Sequence, residues 1–526
     1  METIIVPVDG ASQIKLEVLD FDTLTTVFSR VTETPVKEVA GLKYNAFGEE
    51  CSWFDSVIRE LPESAKTARV IAPVARGASA GLVGPDNTLT EVPGQGLALA
   101  YTQEYPDRVE DRFRELAGSS EEFYQETGSI LDFPGSLTLM KRFVFEDLER
   151  PETLSRTACF GTYGILLSGH FLGDDYLKAV RTAGNEHSYW MCHTGARDIG
   201  EKPGTPSFLS LKIKSFRKLV PQKSYSVYWP LGIMPQKQAA SLGLSGGLVV
   251  IPGGHDTCLS HIPIMSTFYQ TFAGQAGIPV VHLEAGTWTM VSQIGAAAEL
   301  PPDGYKRGIL VQGTVDGNPV VTSLYGGGND FKYLARLVEE RGAVFESQLE
   351  ESLLEEALDE PDCFVLPNIN PVNYLTGPFP QIKGKIINRH AFLQSVEKAF
   401  IIANLSTSIV TACQVSAIAK RKDVPIVLTA GGSRDPYYGR LVATLTGRDL
   451  YAMYDRNGQA LSETTTLGAA IAGKAACLKI HPYQVDMRGL GIQYRKLEPF
   501  NPEIAQKLFR YRELFMKELE KAAKRF

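Results

Sequence analysis

The sequence predicts an α/β protein of two related lobes, and three observations carry that reading. The chain is 526 residues long, too long for one ordinary core, so two domains of roughly 250 residues each are the natural expectation. Short apolar strands alternate with helical patterns throughout, the grammar of an α/β architecture. The same opening also occurs twice: a strand, a glycine-bearing turn and a second strand appear at the N-terminus and again after residue 279. The boundary falls near 262–270, which gives a first lobe over 1–265 and a second over 266–526.

Each element follows from local pattern. Strands are expected over 4–6 and 14–19, joined through Val8-Asp9-Gly10-Ala11-Ser12, a turn whose small residues can approach phosphate closely. Further apolar strands lie at 69–75 and 248–251, with a helical pattern at 136–147 between them. The second of these strands runs into Gly253-Gly254-His255-Asp256-Thr257, where an acidic residue in a glycine turn is poised as a general base. An N-cap carboxylate is the plainer reading of Asp256 taken alone, as a packed histidine is of His255. In the second lobe a strand at 279–283 enters Ala285-Gly286-Thr287-Trp288, and strands follow at 307–313 and 318–323. Helices are expected over 331–341 and 390–419, then a strand over 424–429 leading into Ala430-Gly431-Gly432-Ser433. The stretch 502–526 alternates Lys and Arg with apolar residues at helical spacing and reads as a surface helix.

Composition excludes several classes of function. Apolar content of 44%, charged content of 21% and a net charge of −7 describe a globular protein without a basic tract, so neither nucleic acid nor a membrane surface is expected as a partner. The N-terminus lacks the features of a signal peptide and no apolar run approaches the ~20 residues of a spanning helix, so a cytoplasmic location is expected. Seven cysteines without a CxxC pair fit reduced thiols. Glu186, His187, Cys192 and His193 match no common zinc spacing. There is no GxxxxGK[ST] phosphate loop. Any polyphosphate would therefore be held by local amides and a metal ion.

Singly, each glycine turn is weak as a signal, since strand-to-helix turns use such residues for steric reasons. Their order along the chain is specific. Asp9-Gly10-Ala11-Ser12, Gly253-Gly254-His255-Asp256-Thr257, Ala285-Gly286-Thr287-Trp288, Ala430-Gly431-Gly432-Ser433 and Glu463-Thr464-Thr465-Thr466-Leu467-Gly468-Ala469 together resemble the FGGY carbohydrate kinases, relatives of actin, hexokinase and the Hsp70 ATPase domain. The resemblance covers nearly the whole chain. It implies two ribonuclease H-like lobes with an interlobe cleft, a small-molecule sugar substrate, and ATP with Mg²⁺ as cofactors; it leaves room for a homodimer. It further implies Asp256 as general base, with Gly10, Ala11, Ser12, Lys15, Gly286 and Thr287 on the phosphates and Gly431, Gly432 and Ser433 on adenosine. His255, Arg76, Gly77, Gln103 and Glu104 would touch the sugar, and Asp9 the metal. The pairing of His255-Asp256-Thr257 with Gly286-Thr287-Trp288 is similar to rhamnulokinase and, in its His-Asp part, fuculokinase, which implies a ketose such as L-rhamnulose or L-fuculose and leaves another ketose or a polyol open. The segments 124–128, 133–137 and 192–194 resemble a bacterial group near those enzymes. One departure stands out: the family's aspartate lies two residues before the first glycine, where this chain has Val8, with Asp9 one residue late. Either Asp9 handles the metal from a shifted turn or metal handling is weakened, the latter pointing to a poor or specialised kinase or to a silent sugar or nucleotide sensor.

Overall fold

The computed structural model describes residues 1–133, 139–186, 195–202, 205, 207–221, 224–272, 279–295, 297, 299–340, 351–371, 376–461 and 463–524. His187, Cys192, His193 and residues 134–137 and 194 therefore lie outside the described residues. By its contacts the chain divides into two compact units, one of 1–270 with 311–320 and 464–491, the other of 271–310, 321–463 and 492–526.

The first unit is built on an antiparallel meander extended by parallel strands. Strand β1 (Thr3–Asp9) pairs antiparallel with β2 (Gln13–Asp20), and β2 with β3 (Thr26–Glu33). On its other side β1 runs parallel to β4 (Ala68–Ile71) and β5 (Val74–Ala75). The sheet continues through β7 (Val249–Val250), parallel to β4, to β6 (Gly232–Ile233) at its edge, while β8 (Gly254–His255) runs parallel to β5. Cross-strand partners share a face, so the register puts Ile5, Asp9, Ile14, Leu16 and Val18 on one side. That side packs on the stripe Phe47, Cys51, Phe54, Val57 and Ile58 of helix α1 (Phe47–Arg59) and on Tyr163, Leu166 and Leu167 of α2 (Tyr163–Phe171). Helix α7 (Thr464–Leu478) also packs on β1 and β4. With helices against both faces, β1 is almost wholly buried rather than alternating. Helix α3 (Asp256–Thr271) starts directly after β8.

The second unit repeats the plan. A central hairpin of β9 (Val280–Ala285) and β10 (Thr289–Ile294) pairs through β10 with β12 (Pro319–Tyr325), and β11 (Ile309–Gly313) forms the edge. On the other side β13 (Ile426–Thr429) and β14 (Leu450–Tyr454) run parallel, and β15 (Gln493–Lys496) closes the order. A hairpin flanked by parallel strands in each unit is the ribonuclease H-like arrangement the sequence implied.

Four expectations are revised. Helix α4 (Gly327–Glu339) begins before residue 331, because glycines form its first turn. The helix expected over 390–419 is broken at 393–395, and α5 (Val396–Ile418) starts where the Ser395 hydroxyl accepts from the Lys398 amide. This 23-residue helix is long and apolar enough to cross a membrane, contrary to the expectation of no such run, yet 78% of its most apolar window is buried in the unit's core. Helix α8 (Pro502–Ala523) is more than a surface helix: Ile504, Leu508, Tyr511, Phe515, Leu519 and Ala522 form a buried stripe, and the Tyr511 hydroxyl donates to Cys363 O at 2.7 Å.

Candidate active site

In the first unit three parallel strands end abreast, since Asp9 of β1 is in register with Ala75 of β5, and Ala75 with His255 of β8. The residues that follow, Gly10, Arg76 and Asp256, emerge together at the carboxyl ends of the strands, where open α/β sheets present their ligand sites. The Gly10 turn is tight: its amide donates to Gln13 O at 3.1 Å, and a Cβ at Gly10 would lie 2.6 Å from that oxygen. Thr34 braces it, its hydroxyl donating to Gly10 O at 2.8 Å and its amide to Ser12 O at 3.1 Å. The exposed amides of Ala11 and Ser12 make no hydrogen bond among the described residues and are free to meet an anion.

Asp256 opens α3 with a side chain 39% exposed. Its Oδ1 accepts from the Thr257 amide at 2.7 Å and lies 3.4 Å from His255 Nδ1, while Oδ2 has no partner among the described residues. His255 is buried, its ring pressed against Gly77, where a Cβ would come within 2.1 Å of Nε2. Gly77 is thus a packing requirement for the histidine's position. Behind it His261 is pushed down to about 3, first by burial and then by the His255 charge, so it stays neutral.

Beneath this row lies a buried charge cluster. Arg76 Nε donates to Asp9 Oδ2 at 2.8 Å and its Nη2 donates to Asp9 Oδ1, so both carboxylate oxygens are engaged. Nη2 also donates to Glu50 Oε1 at 3.0 Å, Nη1 to Asn45 Oδ1 at 3.3 Å, and the Tyr163 hydroxyl donates to Glu50 Oε2 at 3.0 Å. Burial, and then the Asp9 charge, push Glu50 up to about 8 against the opposing pull of Arg76 and Tyr163. Burial also raises Asp9 above its ordinary value, with Arg76 holding it down. Two buried carboxyls around one guanidinium cannot both carry charge cheaply.

Three expected residues stand apart from this group. Lys15 pairs with Val8, on the face opposite Asp9, and its Nζ reaches Glu17 Oε1 at 3.1 Å along the strand. The Gln103 amide is used internally, accepting from Lys43 N at 2.7 Å and donating to Glu104 O at 2.6 Å. Glu104 is exposed.

The second unit gathers glycine turns instead of charges. The β9–β10 turn closes with Gly286 N donating to Trp288 O at 3.1 Å, and the Thr287 hydroxyl makes no hydrogen bond among the described residues. Beyond β13, Ala430 takes a positive φ of 61° and leads into the short helix Gly431–Arg434. Gly431 is open, a Cβ there meeting only Ala285 O at 3.5 Å, whereas one at Gly432 would lie 2.5 Å from the Ala285 Cβ. The Ser433 hydroxyl turns inward to Ala430 O at 2.7 Å and braces the turn. A third turn was not singled out: Gly326, Gly327 and Gly328 start α4, Asn329 N donates to Thr287 O at 3.2 Å, and a Cβ at Gly328 would stand 2.0 Å from Gly286 O. Buried Asp330 holds this turn, accepting from the Tyr325 hydroxyl and Asn368 N at 2.7 Å each and from Asn370 N at 3.0 Å.

One unit thus presents amide-lined glycine turns at its strand ends and the other a carboxylate beside a tight glycine turn, each on a ribonuclease H-like sheet. Comparison with known proteins narrows this. Residues 279–478 match the family described as carbohydrate kinase FGGY, C-terminal domain. No curated protein matches the chain. Among solved structures it is similar to a carbohydrate kinase from Novosphingobium aromaticivorans (20% identity, TM-score 0.74, covering 99% of this chain and 100% of that one). It is also similar to a ligand-bound xylulose kinase from Lactobacillus acidophilus (14%, 0.73, 99% and 99%) and to Plasmodium falciparum glycerol kinase with ADP (11%, 0.72, 99% and 98%). Residues 279–478 thus carry the C-terminal domain of the FGGY carbohydrate kinases, and the chain as a whole shares the fold of the kinases of known structure named above.

Proposed function

We propose that this protein phosphorylates a hydroxyl group of a ketose at the expense of ATP, with L-rhamnulose and L-fuculose the first candidates. The observation that carries the reading is Asp256: a carboxylate at the carboxyl end of a strand, one oxygen tied to the following amide and the other without a partner among the described residues. Oδ2 would accept the proton of the attacking sugar hydroxyl. His255, held in place by Gly77, would border the sugar. In the second unit the Gly286 and Thr287 amides and the Thr287 hydroxyl would receive phosphate oxygens, and the open Gly431 backbone would face adenosine. ATP, when bound, supplies the phosphoryl group, and its transfer calls mainly for positioning and charge neutralisation. The motif pairing at His255 and Thr287 supports a 6-deoxy-ketose, while the names of the similar structures make xylulose and glycerol the necessary comparisons.

Coupled detection of ADP release over a panel of ketoses and polyols tests this. Asp256→Asn keeps the shape and removes the base, and a loss of about 10²- to 10⁴-fold in turnover is expected, with sugar binding and folding retained. A variant keeping more than about a tenth of wild-type turnover takes Asp256 out of the catalytic role. A wild-type protein that turns over none of the panel but binds sugar or nucleotide in calorimetry is the silent sensor.

A further inference from the structure

The family resemblance implies a divalent cation beside Asp9, and the donor set around that residue does not fit one. Both Asp9 oxygens accept from Arg76, the carboxylate is fully buried and the guanidinium nearly so. A cation reaching Asp9 would have to displace a group that is always positively charged and is itself fixed by Glu50 and Asn45. Breaking such a buried pair leaves uncompensated charge, which is far costlier than leaving it intact. Val8 offers no side-chain oxygen and lies on the other face with Lys15. Among the described residues no three His, Cys, Asp or Glu side chains converge to hold a metal ion.

We infer that Arg76 occupies the electrostatic place of a protein-bound cation at the end of β1, that Asp9 is a positioning residue for Arg76, and that divalent metal reaches this protein only as its nucleotide complex. The backbone agrees with this division of labour, because Arg76 N donates to Asp9 O at 2.9 Å, so that main chain and side chain dock β5 on β1 at the same two residues. Gly77, next in sequence, then meets the His255 ring. Asp9 thereby acts on the site through Arg76. The nucleotide part of the inference rests on the kinase reading above; the Asp9–Arg76 part does not.

Electron paramagnetic resonance of free Mn²⁺ measures it on the full chain. Mn²⁺ is titrated into wild type and Asp9→Asn, first alone and then with ADP. The expected result is no stoichiometric Mn²⁺ site in either protein without ADP, and midpoints with ADP that agree within about threefold, whereas losing a direct ligand costs at least about tenfold. Asp9→Asn should also melt lower than wild type, since Arg76 loses its main counter-charge. Should Asp9→Asn not fold, Arg76→Lys replaces it: a lysine keeps the charge but gives up the two-pronged grip on the carboxylate, and no Mn²⁺ site should appear. A stoichiometric site in the wild type without ADP overturns the inference, whether or not Asp9→Asn abolishes it, and so does a tenfold loss with ADP. If ADP itself fails to bind, the kinase reading falls while the nucleotide-free titration still decides Asp9.

Discussion

The two units carry the same strand order and place opposite chemistry at its ends. Where the first hairpin ends in Asp9, beside Arg76 and Asp256, the second ends in Ala285 and Gly286, beside Ala430 and Gly431. Charge is concentrated in one and side chains are pared away in the other. The fold supplies a row of strand ends, and the residues after each strand decide what that row can do. A base needs a carboxylate fixed by its neighbours, whereas a polyphosphate needs bare amides, and on the proposed function the two would come from copies of one scaffold.

The comparison breaks most visibly at Arg76. Arg76→Met would strand Asp9 and Glu50 without their shared cation, and a loss of about 3–5 kcal/mol in denaturant unfolding is expected, the usual cost of unpairing a buried charge. A loss below about 1 kcal/mol would mean the cluster is not the ionic anchor described here.

A smaller effect distinguishes the first unit by pH. His170 is buried with Nδ1 2.6 Å from Asp174 Oδ1 and Nε2 2.9 Å from Asp55 Oδ1. Burial lowers its affinity for a proton, but the hydrogen bonds to Asp174 and Asp55 outweigh this and bring it up to about 9. The folded value exceeds the ordinary 6.5, so its contribution is complete below pH 6.5 and disappears as pH rises through about 9. Between those limits stability should fall by on the order of 3 kcal/mol more in the wild type than in His170→Gln, which keeps only the slope of other groups such as Glu50. Equal slopes in the two proteins would show that His170 does not bind the extra proton.

The smallest change in stability sharpens the second half of the comparison. Gly431→Val adds a side chain where only Ala285 O lies within reach at 3.5 Å, so the melting temperature should hold while the KM for ATP rises and that for sugar does not. Gly432, equally expected on adenosine, is unsuited to this test, because a side chain there meets the Ala285 Cβ at 2.5 Å and the fold suffers first. Parallel increases in both KM values for Gly431→Val would remove the turn from nucleotide binding.

Much of this was legible in the chain. An apolar strand running into a glycine turn is a local signal, and the hairpins at Asp9 and Gly286, the turn before Asp256 and the Gly431 turn all carry it. The charged floor of the first unit was less visible because it is assembled over distance. Glu50 did leave a trace, since an acid at 50 interrupts the stripe 47, 51, 54, 57, 58 and is itself buried. Such a carboxyl within an apolar stripe calls for a cation somewhere, but nothing local says it is Arg76. The three glycines at 326–328 were equally readable, directly after an apolar strand, and went unused because helices are sought where helix formers begin. Lys15 stands apart from the charged floor by parity: the pleat sends it to the face away from Asp9.

Helix α7 gives the chain's synthesis an awkward order. It comes from residues 464–478, yet belongs with the first unit, where Gly468 fits against Leu259 O with no room for a Cβ and Lys474 Nζ donates to Asp22 O at 2.8 Å. A ribosome adding about 5–20 residues per second needs roughly 10–40 s to travel from residue 270 to the start of this helix. Throughout that interval the nascent first sheet lacks one of its covers, with β1 and β4 open to chaperones or to a neighbouring nascent chain.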